Sequence, residues 1–142
     1  MSNYATENLR TLALVGHGSC GKTTLIEAML YRAGMIPEMG SIQRGTTMCD
    51  NDLLEKEVGH SIRLAVAHID TAMTDLTPVR IHILDTPGYP DYLGQDMSAL
   101  DAVKSVCAVI DPTKGPELLT RRLMAMAKER GLCRMIVINH MD

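Results

Sequence analysis

The segment Gly16-His17-Gly18-Ser19-Cys20-Gly21-Lys22-Thr23 constrains this chain more than any other. It fits the pattern G-x-x-x-x-G-K-[ST], follows the apolar run Leu12 to Val15, and precedes apolar residues at helical spacing, namely Leu25, Ile26, Met29, Leu30 and Ala33. A glycine-rich turn between a strand and a helix lets backbone N–H groups point inward around a polyphosphate, and the helix N-terminus adds positive potential there. In such a loop Lys22 reaches the β- and γ-phosphates, and the Thr23 hydroxyl ligates Mg²⁺. The loop does not discriminate adenine from guanine.

Periodicity places the remaining elements. Gly34 is the expected stop of the first helix. Met35 to Ser61, weakly periodic and rich in Gly, Thr and Asp, reads as a functional loop. Ile62, Leu64 and Val66, then Val79, Ile81 and Ile83, alternate on either side of the polar segment Asp70 to Pro78 and predict a two-stranded hairpin. Tyr92 to Val103 predicts a helix and Val106 to Ile110 a buried strand. Glu117 to Arg130 predicts an amphipathic helix with Leu118, Leu119, Leu123, Met126 and Ala127 inward, stopped by Gly131. Met135 to Ile138 predicts another buried strand. Strands alternating with helices imply an α/β fold with a mainly parallel sheet covered on both faces, whose ligands collect at the carboxyl ends of the strands.

A second motif lies at such an end. Asp85 closes its strand in Asp85-Thr86-Pro87-Gly88, where a carboxylate can hold Mg²⁺ through water opposite Thr23. Gly88 can bring its N–H against a γ-phosphate with no Cβ in the way.

Composition excludes several classes. The 142 residues suit one domain, and 46% hydrophobic with 22% charged residues are ordinary for a globular protein. A net charge of −3 argues against a broadly basic surface, so no direct nucleic-acid binding is expected. No apolar run is long enough to span a bilayer, and Met1 to Arg10 lacks the apolar centre of a signal peptide, so the expectation is no membrane and a cytoplasmic location. Cys20, Cys49, Cys107 and Cys133 show neither C-x-x-C nor a Cys/His cluster, which disfavours a disulfide framework or zinc site. Cys20 stands at a helix N-terminus beside Lys22, a setting that lowers a thiol pKa. His68 and His82 read as strand-face residues.

Together these motifs resemble the GTP-binding domain of translational GTPases, most of all that of elongation factor G and the elongation factor G-like proteins. The resemblance rests on the loop from Gly16, on Gly40-x-Ile42-x-x-Gly45-x-Thr47-x-x-Asp50, on Gly59-x-Ser61-Ile62, on Asp85-Thr86-Pro87-Gly88-Tyr89-x-Asp91-Tyr92, and on Asn139-x-Met141-Asp142. It implies a P-loop NTPase fold with one antiparallel strand, GTP or GDP and Mg²⁺ as ligands, GTPase activity, and the ribosome as partner of the full-length protein. Two switch segments are implied, roughly Met39 to Arg63 and Asp85 to Leu100. By the same resemblance Gly16, His17, Gly18, Ser19, Cys20, Gly21, Lys22, Thr23, Thr24, Asp85, Gly88, Asn139, His140 and Asp142 hold the nucleotide, with Asn139 and Asp142 reading guanine. Thr23, Ser61 and Asp85 hold the metal, Ser61 standing where the family has Thr, and Lys22, Gly88 and Tyr89 are the catalytic positions.

The chain departs from the family at several positions. Tyr89 replaces the His that positions the attacking water, and a phenol titrating at about 10 cannot become a cation at neutral pH, which predicts slow hydrolysis. Ser19 replaces Asp, Val58 and His60 replace Arg and Ile, and His140 replaces Lys. The ending at Asp142 predicts a C-terminally truncated G domain over residues 1–142 with weakened nucleotide binding. The alternative is a nucleotide-binding regulatory switch with little or no hydrolysis; an ATP-using protein is disfavoured by Asp85-Thr86-Pro87-Gly88 together with Asn139-x-x-Asp142.

Overall fold

Period-two burial along two short apolar strands builds the centre of the sheet. In β1 (Leu9–Val15), Ala13 and Val15 face one side and Leu14 the other. In β4 (Ser105–Ile110), Val106 and Ala108 join the first side, Cys107 and Val109 the second. A computed structural model describes residues 4–49, 55, 59–73 and 75–141; Asp50, Val58 and Asp142 lie outside them. The other elements are α1 (Lys22–Arg32), β2 (Ala65–Ala72), β3 (Pro78–Asp85), α2 (Leu93–Ala102), α3 (Leu118–Glu129) and β5 (Cys133–Ile138).

The strand order is β2-β3-β1-β4-β5, with β2 antiparallel to β3 and the other pairings parallel. This is the mainly parallel sheet with one antiparallel strand that the sequence predicts. Leu100 and Val103 at the end of α2 and Leu123 and Ala127 of α3 cover one face, and Ile26 and Leu30 of α1 cover the other. Each fully buried aliphatic side chain contributes about 1.5–3 kcal/mol. Gly34 ends α1 at φ 69°, letting the Met35 N–H return to the Leu30 carbonyl, and Gly131 does the same after α3 for Leu132 and Ala127.

Three expectations are corrected. The hairpin's first strand starts at Ala65, and its buried face carries Ala67 and Ile69, while Val66 is 65% exposed. Ile62 and Leu64 precede the strand because side chains take their N–H groups: Glu55 accepts from Ile62 and Arg63, and Gln95 from Leu64. Polar Asp70 to Ala72 stays within the strand, since an edge strand buries one face only and Asp70 pairs with Arg80 of β3 at 2.6 Å. Leu118 is 84% exposed; at about 100° per residue it stands about 140° around the helix from Leu123. Lastly, β5 forms as predicted but is not buried. Met135, Ile136 and Ile138 are all at least half exposed, because among the described residues β5 is an edge strand paired only with β4.

Candidate functional site

The carboxyl ends of β1, β3, β4 and β5 converge on the loop between Val15 and Lys22. Lys22 opens α1, and its ammonium turns back to donate to the carbonyls of Gly16 (3.1 Å) and His17 (2.9 Å). It is 5% exposed, and none of the ion pairs among the described residues includes it. A buried cation whose hydrogen bonds go to neutral carbonyls is a place that an anion completes.

Beside it the Thr23 hydroxyl donates to Asp85 Oδ2 at 2.6 Å and lies 3.1 Å from the Ser61 hydroxyl. Three residues spread over 62 positions of sequence thus bring hard oxygen donors together, the donor chemistry of Mg²⁺ and not of softer metals. Asp85 is fully buried opposite Leu14 of β1, and the next hydroxyl, that of Thr86, donates to the Leu14 carbonyl at 2.9 Å. Gly88 has φ 77°, and a Cβ there would come closer than 3.0 Å to the Gly16 carbonyl and to Lys22 Nζ. Only glycine lets this turn lie directly against the loop.

Ser19, Gly21, Lys22, Thr23, Ser61 and His140 are among the residues lining a cavity of about 270 Å³; Thr24, His60 and Tyr89 also face it. A larger space of about 540 Å³ lies beyond Tyr89, against Leu93 and Leu119, and contains neither Lys22 nor Thr23. His17 is buried in the loop wall, 3.7 Å from Glu117. Gly18 faces the Tyr89 ring, and Gly16 packs against the Val109 carbonyl. Cys20 is fully buried, and burial pushes its thiol pKa up despite the opposing pull of Lys22, so the helix N-terminus does not lower it.

From the far side of the sheet, Asn139 donates its amide to the Cys20 carbonyl at 3.0 Å. Gly21, at φ 88°, leaves room for that amide, which a Cβ would strike. His140 Nδ1 lies 3.3 Å from Asp111 Oδ2, and the Thr113 hydroxyl and N–H, with His140, hold the Asp111 carboxyl down to about 2. Asp142 lies outside the described residues.

Sequence reasoning passed over three acidic residues. Asp96 of α2 is fully buried, and burial raises its pKa against the opposing Thr86 hydroxyl, Lys22 charge and Gly88 N–H. Its spacing to Ala99 and Leu100, three and four residues on, is the signal that could have placed it on the inward face. Glu27 accepts from the N–H groups of Gly40 and Met48, and Glu55 from those of Ile62 and Arg63. Glu27 thus holds backbone before Ser61, and Glu55 backbone directly after it.

Comparison with known proteins agrees with this geometry. The chain is 34% identical over 131 residues to the tetracycline resistance protein TetM of Enterococcus faecalis, covering 92% of this chain and 20% of that protein. It is 35% identical over 134 residues to an elongation factor G-like protein of Mycobacterium tuberculosis, covering 94% of this chain and 18% of that one. A crystal structure of a Thermus thermophilus protein superposes with a TM-score of 0.82 at 36% identity, covering 91% of this chain and 19% of that one. The chain thus spans about a fifth of the length of these relatives. The family model described as the elongation factor Tu GTP binding domain matches residues 7–142, and the chain belongs to that family.

Proposed function

We propose that residues 1–142 form the GTP-binding domain of an elongation factor G-like protein that binds GTP with Mg²⁺, hydrolyses it to GDP and phosphate, and couples this cycle to the ribosome in the cytoplasm. The carrying observation is the Thr23, Ser61 and Asp85 oxygen cluster beside the buried Lys22 ammonium. In hydrolysis the water oxygen bonds to the γ-phosphorus as the bond to the β–γ bridging oxygen breaks. The electron pair leaves on GDP, and the proton ends on inorganic phosphate. Such a reaction asks the protein for positioning and charge stabilisation.

Lys22 supplies fixed positive charge to the β- and γ-phosphates. Thr23, Ser61 and Asp85 would hold Mg²⁺, which when bound neutralises phosphate charge. The turn at Gly88, which lies against Lys22 with no Cβ between, adjoins the place of the third phosphate. Asn139 and Asp142 read the guanine edge, and the bond from Asn139 to Cys20 ties the base side of the site to the phosphate side.

Calorimetric titration of the protein with GDP, a non-hydrolysable GTP analogue and ATP, each with Mg²⁺, tests this reading. Guanine-selective binding is expected, and Lys22→Ala weakens it about 10- to 100-fold, the value of a hydrogen bond to a charged group. ATP binding as tight as GDP binding would sink the guanine assignment. A second reading, a nucleotide-controlled switch with little hydrolysis, is favoured by the phenol at Tyr89 where an imidazole is expected. Single-turnover hydrolysis by the full-length protein, with and without ribosomes, separates the two.

A further inference from the structure

Two rings meet over the phosphate loop. The centroids of His60 and Tyr89 are 4.6 Å apart with planes tilted by 41°. The Tyr89 ring occupies the space a side chain at position 18 would need: a Cβ on Gly18 would come closer than 3.0 Å to three of its atoms, the hydroxyl oxygen included. Gly18 is therefore the seat of that ring. His60 precedes Ser61, whose hydroxyl is bonded to Thr23, so the backbone carrying the imidazole is anchored at the oxygen cluster. Both rings line the cavity of about 270 Å³ that Lys22 and Thr23 also line. His60 Nδ1 is shielded from solvent and has no hydrogen-bond partner among the described residues. An unmade bond at a buried polar atom is costly, and a bound group beside it recovers that cost.

We propose that His60 is the side chain that holds the attacking water, and that Tyr89, seated on Gly18, is the positioning residue that aims the imidazole. This rests on the GTPase reading above. The imidazole accepts a hydrogen bond from the water and orients its oxygen lone pair toward the γ-phosphorus. The water proton ends on the phosphate, and the imidazole is unchanged at the end of the cycle. The imidazole that position 89 lacks is thus supplied from position 60.

The test is single-turnover GTP hydrolysis by the full-length protein with ribosomes, alongside titration with GDP. His60→Ala lowers the hydrolysis rate about 100-fold while GDP affinity stays within about threefold. His60→Gln, which keeps a donor and an acceptor, recovers about tenfold of that loss. Tyr89→Ala loses hydrolysis as His60→Ala does, Tyr89→Phe loses less because the ring still supports the imidazole, and the double alanine variant is no slower than His60→Ala. His68→Ala, on the exposed side of β2, hydrolyses as the wild type does.

A His60→Ala protein that hydrolyses at the wild-type rate with unchanged GDP affinity overturns the proposal and leaves the GTPase reading standing. Loss of GDP binding in His60→Ala, with His60→Gln hydrolysing no better, makes the residue structural and also overturns it. Additive losses in the double variant overturn the role of Tyr89. A wild-type protein that binds GDP yet does not hydrolyse GTP with ribosomes overturns the GTPase reading itself, and this proposal with it.

Discussion

The strands β4 and β5 are six residues each, SVCAVI and CRMIVI, lie side by side in register, and differ sharply in burial. Val106 to Val109 are almost completely enclosed, whereas Ile136 of β5 is 61% exposed. Apolar composition therefore does not separate them; sheet position does. A central strand has a neighbour on each side and helices over both faces, while an edge strand has one neighbour and keeps its apolar side chains only partly covered. Both strands nevertheless deliver polar residues to the same cleft, Asp111 after β4 and Asn139 and His140 after β5. The binding end of β5 is thus held by hydrogen bonds more than by core packing.

The largest test of this contrast is a charge placed in each strand. Val106→Asp is expected to cost more than about 4 kcal/mol and abolish cooperative unfolding, because a carboxylate would lie unpaired in the interior. Ile136→Asp is expected to stay within about 1 kcal/mol in urea denaturation. Equal losses would mean that β5 is covered after all.

A smaller effect is expected where β5 meets the phosphate loop. Asn139→Ala removes the bond to the Cys20 carbonyl and should cost about 0.5–1.5 kcal/mol in urea denaturation. No loss of stability would show that this bond does not secure the end of β5. The smallest effect is a pH dependence linking the two strand ends. The Asp111 carboxyl is held down to about 2 from an ordinary 3.8, so its contribution to stability is present above about pH 4 and fades as pH falls toward 2. Urea midpoints measured from pH 2 to 5 should therefore decline less steeply toward acid in Asp111→Asn than in the wild type.

Motifs made of adjacent residues were legible from the chain alone. The turn from Gly16 to Thr23 needs only its own glycines, lysine and threonine, and the stops at Gly34 and Gly131 need only a residue that accepts positive φ. Asp85 was legible as a strand-end carboxylate, and Ser61 only through the resemblance, since nothing local joins it to Thr23. The exposure of Leu118 was hidden because a leucine at the first turn of an amphipathic helix looks inward until its angle to Leu123 is measured. Asp96, Glu27 and Glu55 escaped notice because a carboxylate reads as a surface residue by default; Glu27 and Glu55 are held by N–H groups of other segments, and Asp96 is enclosed by the packing of α2.

By itself, then, the sequence determined the order and type of the main elements, the phosphate-loop chemistry and the strand-end carboxylate, because local backbone geometry and side-chain periodicity encode them. Only the tertiary structure decided which apolar strand is enclosed, where the hairpin's first strand begins, and that His60 rests against a tyrosine seated on Gly18. Those outcomes depend on what lies across the sheet or the cleft. Neighbours in space, unlike neighbours along the chain, are set by the packing of the whole molecule.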